Sequence, residues 1–260
     1  LEEALRPHRF DVVIHAAGAT KCLHREEFFK TNTEGTRHLV AALRKTGVGR
    51  LVMMSSLSVI NSIPAEARGA ATAYGDSKLE AEKIVQASGL EYVILRPTGV
   101  YGPRETDYFL MVKSICQHVD FSVGFKPQVL TFIYVLDVVQ AVFLALDKGV
   151  VGHSYIISDG KEYGSRTFSD LIRRELGNPW LLRIKAPLWL LRVITFVGEH
   201  IGRMTGTVSA LNNDKYNIMR QRNWKCDISR ARRELGYEPA YDLDRGVQLT
   251  IKWYKENKWI

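Results

Sequence analysis

The sequence predicts an α/β fold in which helices cover both faces of a parallel sheet. Three observations predict it. Short apolar runs alternate with amphipathic stretches over the first hundred residues. The runs are apolar throughout, which suits strands buried on both faces. The stretches between them are long enough for crossover helices, and strand–helix–strand units of this kind close right-handed.

In chain order, "DVVIHAA" (11–17) is a buried strand ending in small residues. "TEGTRHLVAALRKTG" (33–47) is a helix with Leu39, Val40 and Leu43 inward, stopped by Gly47. "RLVMMSS" (50–56) is the next strand, a helix runs from Ala73 to Ser88 and ends at Gly89, and "EYVILRP" (91–97) is a strand closed by proline. After Pro97 the rhythm loosens. "TGVYGPRE" (98–105) is a loop, 107–118 a helix, "VLTFIYV" (129–135) a strand, "LDVVQAVFLALDKG" (136–149) a helix and "HSYIISDG" (153–160) a late strand. Helices dominate beyond residue 160. "PLWLLRVITFVGEHIG" (187–202) is apolar nearly all round from Leu188 to Val197. It is too short to span a bilayer. It reads as a helix lining an apolar pocket or a subunit contact, in preference to membrane attachment.

The bulk numbers narrow the function classes. With 260 residues, 46% hydrophobic and 25% charged, the chain is a soluble globular protein with no membrane span. Cys22, Cys116 and Cys226 are far apart and form no C-x-x-C, which argues against a disulfide framework or zinc site and for a reducing, cytoplasmic compartment. His15 and His24 read as structural, and no metal site is expected. The net charge is +8, and the stretch from Arg183 to Arg233 alone holds eleven Lys and Arg against three acids, Glu199, Asp214 and Asp227. That stretch fits an anionic ligand or weak association with an acidic membrane surface, or else a solvated basic face. No nucleic-acid motif accompanies it.

The chemistry lies in the helix from Ala73. Tyr74, Lys78, Ala81 and Val85 recur at i, i+4, i+7 and i+11, one inward stripe, with Asp76, Glu80 and Lys83 opposite. A lysine on an inward face is either snorkelling or functional. Here it stands one turn after a tyrosine, and Ser55, Ser56 and Ser58 lie at the end of the preceding strand, the edge where parallel sheets bind ligands. A phenol titrates near pH ~10, and a neighbouring cation lowers that value until the group can trade a proton with a hydroxyl or carbonyl.

These residues resemble the active site of the short-chain dehydrogenases/reductases. Y-x-x-x-K stands as Tyr74-Gly75-Asp76-Ser77-Lys78, after "SSLS". "DVVIHAAG", "NTEGTRHLV" (32–40), "LRPTGVYGP" (95–103), "FIYVLDVVQAVFLAL" and "DISRARRELGYEPAYDLDRGVQLTIKWY" resemble further signatures of the extended branch, which includes nucleotide-sugar epimerases, hydroxysteroid dehydrogenases and dihydroflavonol reductases. The resemblance implies a Rossmann-type doubly wound sheet over residues 1–160 and a smaller, mostly helical substrate domain over 161–260. It implies NAD or NADP as cofactor. Tyr74 is then the acid/base, Lys78 the cation that tunes it and binds the nicotinamide ribose, and Ser56 the residue that orients the substrate oxygen, with Ser58 a weaker alternative. Ala16, Ala17 and Gly18 pass close to the cofactor, Ser55 joins them, and Pro97, Thr98 and Val100 flank the nicotinamide. Asn32 supports the site or caps the helix that follows it.

Two features depart from the pattern. Only 18 residues separate Ser56 from Tyr74, which implies a trimmed loop. No G-x-x-G-x-x-G or G-x-G-x-x-G occurs. The family carries it at the first strand, so the expectation is that this chain opens near the family's fourth strand and lacks the residue that selects NAD or NADP. The leading functional expectation is an oxidoreductase acting on a hydroxyl or ketone of an apolar small molecule, steroid- or flavonol-like. A nucleotide-sugar epimerase or dehydratase is the alternative, and a non-catalytic dinucleotide-sensing subunit the third. Homodimerisation through the Tyr-Lys helix, from which Leu79 projects, is a further expectation.

Overall fold

The computed structural model describes residues 1–7, 10–62, 71–205 and 213–260. Helix α1 (Glu2–Leu5) precedes β1 (Val12–His15), and α2 (Arg25–Phe28) runs through a π-helical turn (Phe29–Glu34) into α3 (Gly35–Thr46). Strand β2 (Arg50–Met54), a 3-10 turn (Leu57–Ser62), α4 (Ala73–Gln86) and β3 (Glu91–Pro97) follow. Then come β4 (Gly99–Tyr101), α5 (Asp107–Cys116), β5 (Val119–Val123), β6 (Val129–Leu130), β7 (Phe132–Tyr134), α6 (Val135–Lys148) and β8 (His153–Ile157). The remainder holds β9 (Tyr163–Gly164), α7 (Thr167–Glu175), β10 (Leu182–Ala186), α8 (Leu188–Thr205), α9 (Asn213–Arg220), α10 (Ser229–Leu235) and α11 (Leu243–Glu256).

The central sheet is parallel throughout, in the order β1-β2-β3-β8. Its strands are apolar at successive positions because both faces are covered. Leu51, Met53 and Ile94 pack against Leu39, Leu43, Ala81 and Val85 of α3 and α4. Val52, Val93, Leu95 and Tyr155 point the other way, onto Ala141 and Ala145 of α6 and Leu235 of α10. The side-chain period of two thus divides one apolar run between two helical layers. A third, aromatic cluster built from Tyr101, Phe109, Phe132, Phe168 and Tyr254 joins α5, α7 and α11.

Residues 63–70, within the shortened loop between Ser56 and Tyr74, lie outside the described residues. The strand expected over 129–135 divides at Thr131, whose hydroxyl donates to Trp224 O at 2.8 Å. Its halves go to different partners: β6 pairs antiparallel with β9 and β7 parallel with β4. Beyond residue 160 helices do dominate, but β10 pairs parallel with β5. The sequence of β10, "LRIKA", carries two cations and lacks the apolar continuity of the central strands.

Candidate active site

The carboxyl ends of β1, β2 and β3 meet the start of α4. Thr72 caps α4, its hydroxyl accepting from Gly75 N–H at 2.9 Å. Gly75 permits a close approach: a Cβ there would lie 2.8 Å from Ser58 O and 3.1 Å from Ser62 Oγ. The Ser62 hydroxyl and Arg25 Nη2 both donate to the Asp76 carboxylate, each at 2.7 Å. The first turn of α4 is therefore fastened to the serine turn and to α2, and Asp76 is a tether and not a solvent-side charge.

The expected stripe points inward, as Lys78, Ala81 and Val85 are buried and Tyr74 half-buried. The Ser56 hydroxyl oxygen accepts from Ser58 N–H at 3.2 Å, which leaves its proton for the Tyr74 phenol. Burial pushes the phenol's pKa up, and the Ser56 hydrogen bond works against that rise. Lys78 Nζ donates to Met54 O at 2.6 Å, and burial brings its pKa down to about 8 while Glu82 opposes the fall.

Beside this trio, Ala16, Ala17 and Gly18 form an exposed, small-residue edge. A Cβ on Gly18 would lie 3.1 Å from Asn32 Oδ1 and 3.6 Å from Lys78 Nζ. Asn32 is buried in the π-helical turn and does not cap α3; its amide accepts from Ala19 N–H (2.7 Å) and donates to Ala19 O (3.0 Å) and Ser77 Oγ (2.9 Å). It staples the loop after β1 to α4, with both amide hydrogens committed and one acceptor site left on Oδ1. His15 is structural: its ring meets Thr36 Oγ1 at 2.9 Å, and burial, with Lys78 adding, brings its pKa down to about 4.

Ser55 and Thr98 are both buried at the strand ends, and their hydroxyls have no hydrogen-bond partner among the described residues. Buried polar atoms are ordinarily satisfied. Two such hydroxyls beside a small-residue edge and a lysine fit a polar group such as a nicotinamide ribose and carboxamide. Val100, partly buried, packs against the central core, and Gly99 lines the neighbouring cavity.

That cavity has a volume of about 350 Å³ and opens beside Ser56, Ser58, Pro97 and Thr98. Its walls are Met111, Phe121, Phe132, Phe168, Met219 and Trp224 with further apolar and uncharged polar residues, and among the described residues no Lys, Arg, Asp or Glu lines it. Helix α8, expected to line a pocket or make a subunit contact, supplies none of its described residues to this cavity. Helix α9 supplies Ile218 and Met219. The same helix carries Asp214, whose carboxylate accepts from Ala73 N–H and Tyr74 N–H, each at 3.1 Å. Asp214 was invisible to motif reading; its one signal was being an acid in the basic stretch.

The model of the NAD dependent epimerase/dehydratase family matches residues 1–158, more than half of the chain. The chain belongs to that family. Its members are NAD-dependent enzymes, and the fit of the strand-end hydroxyls agrees with a nicotinamide cofactor. Among curated relatives, the chain is 25% identical to a sterol-4-alpha-carboxylate 3-dehydrogenase (decarboxylating) of Candida albicans, over 99% of this chain and 80% of the relative. It is also 25% identical to a dTDP-glucose 4,6-dehydratase of Streptomyces griseus, over 96% and 73%. Among solved structures, the UDP-glucose 4-epimerase of Thermotoga maritima superposes with a TM-score of 0.77 at 21% identity, covering 99% of this chain and 81% of that one. Members of this fold thus include both substrate classes that the sequence left open. Among the described residues no helix is long and apolar enough to cross a membrane, and no three His, Cys, Asp or Glu side chains are grouped to hold a metal ion.

Proposed function

We propose that the protein is an NAD(P)-dependent oxidoreductase that interconverts a hydroxyl and a ketone on an apolar, steroid- or flavonol-like molecule. One observation carries this reading: among the described residues the cavity beside Ser56 is lined by aromatic, aliphatic and neutral polar side chains, with no charged one. A nucleotide diphosphate would bring negative charges there, and none of the described lining residues is a cation to meet them. An apolar ring system needs only burial and one polar anchor.

In this reading residues 1–160 hold the dinucleotide at Ala16–Gly18, Ser55, Lys78 and Thr98. Residues 161–260 close the substrate side, whose wall extends back into β5 and β7. The Ser56 hydroxyl orients the substrate oxygen, and the Tyr74 phenol exchanges the proton of that oxygen. For oxidation the substrate's O–H proton passes to the Tyr74 phenolate oxygen as the carbinol carbon becomes a carbonyl carbon. The bound dinucleotide supplies the hydride acceptor, or the hydride donor in reduction. Lys78 holds positive charge near the phenolate when the ribose is in place.

The test is a pair of substrate panels. Steroids and flavonoids should change NAD(P)H absorbance, and UDP- and dTDP-sugars should not be converted. Redox-neutral sugar conversion would instead establish the epimerase or dehydratase reading.

A further inference from the structure

Helix α8 presents an apolar face to solvent. Trp189, Val193, Phe196, Val197 and Met204 recur at i, i+4, i+7, i+8 and i+15, one stripe of an α-helix. All five are exposed, Trp189 by 68%, Phe196 by 73% and Met204 by 77%. Leu191 and Thr195, on the opposite side, are buried. The surface continues beyond the helix. Gly124 N–H donates to Ala186 O at 2.8 Å, and a Cβ on Gly124 would lie 3.8 Å from Leu188 Cγ, so Phe125 stands beside the start of α8, 69% exposed. Exposed aromatic side chains gathered in this way mark an interaction surface.

Charge decides the partner. Lys126 follows Phe125, Lys185 precedes α8, and Arg192 lies within it. All three are exposed, and none makes an ion pair among the described residues. A two-fold pairing of this face with a second copy would bring like charges together. An anionic bilayer offers what both features need, an acyl boundary for the stripe and headgroup charge for the cations. We propose that α8 and Phe125 seat the protein in the plane of an anionic lipid surface, with Lys126, Lys185 and Arg192 at the headgroups. The seat also adjoins the cavity: Phe121 and Val123 line the cavity, and the chain passes directly from them to Gly124 and Phe125. The proposal goes beyond the oxidoreductase reading, and its test does not depend on turnover.

The test is co-sedimentation of the full chain with two kinds of vesicle, phosphatidylcholine alone and phosphatidylcholine mixed with phosphatidylglycerol. Binding to the mixed vesicles, weakened by salt and far weaker on phosphatidylcholine alone, is expected. Lys126→Glu, Lys185→Glu and Arg192→Glu together should reduce binding to the mixed vesicles roughly 100-fold. Trp189→Ser with Phe196→Ser should reduce it at least about tenfold, since each loses buried apolar area. No binding to either vesicle overturns the proposal. So does unchanged binding of the serine variant, or a lipid-free dimer in light scattering that the serine variant dissociates. If the serine variant does not fold, quenching by brominated lipid that is lost in Trp189→Phe reports insertion directly, and no such quenching overturns it.

Discussion

Helix α4 takes Lys78 and Glu82 into the interior, whereas helix α8 turns Trp189, Phe196 and Met204 out to solvent. Both are regular amphipathic helices. They differ in what faces them. Around α4 the buried charges have partners: Met54 O receives Lys78, and Arg96 binds Glu82 through two hydrogen bonds of 3.0 and 2.6 Å. Around α8 the described chain covers one side only. A helix's own period says which residues share a face; whether that face is inside depends on elements elsewhere in the chain.

The largest effect that can break this contrast belongs to Tyr74. Tyr74→Phe should keep its fold and cofactor binding and lose about 10³-fold in turnover, within the span of general acid–base catalysis. Steady-state rates measured by NAD(P)H absorbance, with circular dichroism as the folding control, decide it, and full activity would remove the acid/base role. Next comes the Glu82–Arg96 pair, whose carboxylate is wholly buried. Glu82→Ala leaves a guanidinium without that carboxylate and should cost about 4 kcal/mol in urea unfolding. A loss below about 1 kcal/mol would show that water reaches the pair.

The third effect is a pH dependence. Burial holds the His15 imidazole at about 4 against an ordinary 6.5, so the unfolded chain takes up the proton first. His15 therefore contributes stability that is complete above pH 6.5 and is lost as pH falls through about 4. The contribution is roughly 3 kcal/mol. His15→Gln should flatten that acid limb, and an unchanged slope would assign it elsewhere. Smaller again is Asp214→Ala, which removes two acceptors from the start of α4 and should cost about 1–2 kcal/mol. Hydrogen exchange should quicken at Ala73 and Tyr74 and stay unchanged in the central sheet. Smallest is Phe196→Ser, which in the absence of lipid should shift stability by no more than about 0.5 kcal/mol. A larger loss would mean that α8 is covered after all.

The central sheet was legible because burial on both faces writes continuous apolar runs, and "EYVILRP" forms β3 over Glu91–Pro97. The Tyr-Lys stripe was legible because helical spacing and the preceding serines are both local. The hydroxyls of Ser55 and Thr98 were chosen by resemblance, and the structure adds that both lie buried and without partners. For Val100 the structure adds only that it packs, partly buried, against the central core. Asp214 and the cavity walls were not legible at all. They come from segments far apart in the chain, and no local period links residue 214 to residue 74.

By itself the sequence determined which residues share a strand or a helical face, and so the type of fold and the pairing of Tyr74 with Lys78 on one stripe. Those are matters of backbone period and side-chain spacing. Only the tertiary structure decided that Lys78 donates to Met54 O, that the Asp214 carboxylate accepts from the first N–H groups of α4, and that α8 faces water while α9 walls the cavity. Hydrogen-bond partners and solvent exposure arise from contacts between distant segments, and these exist only once the chain has folded.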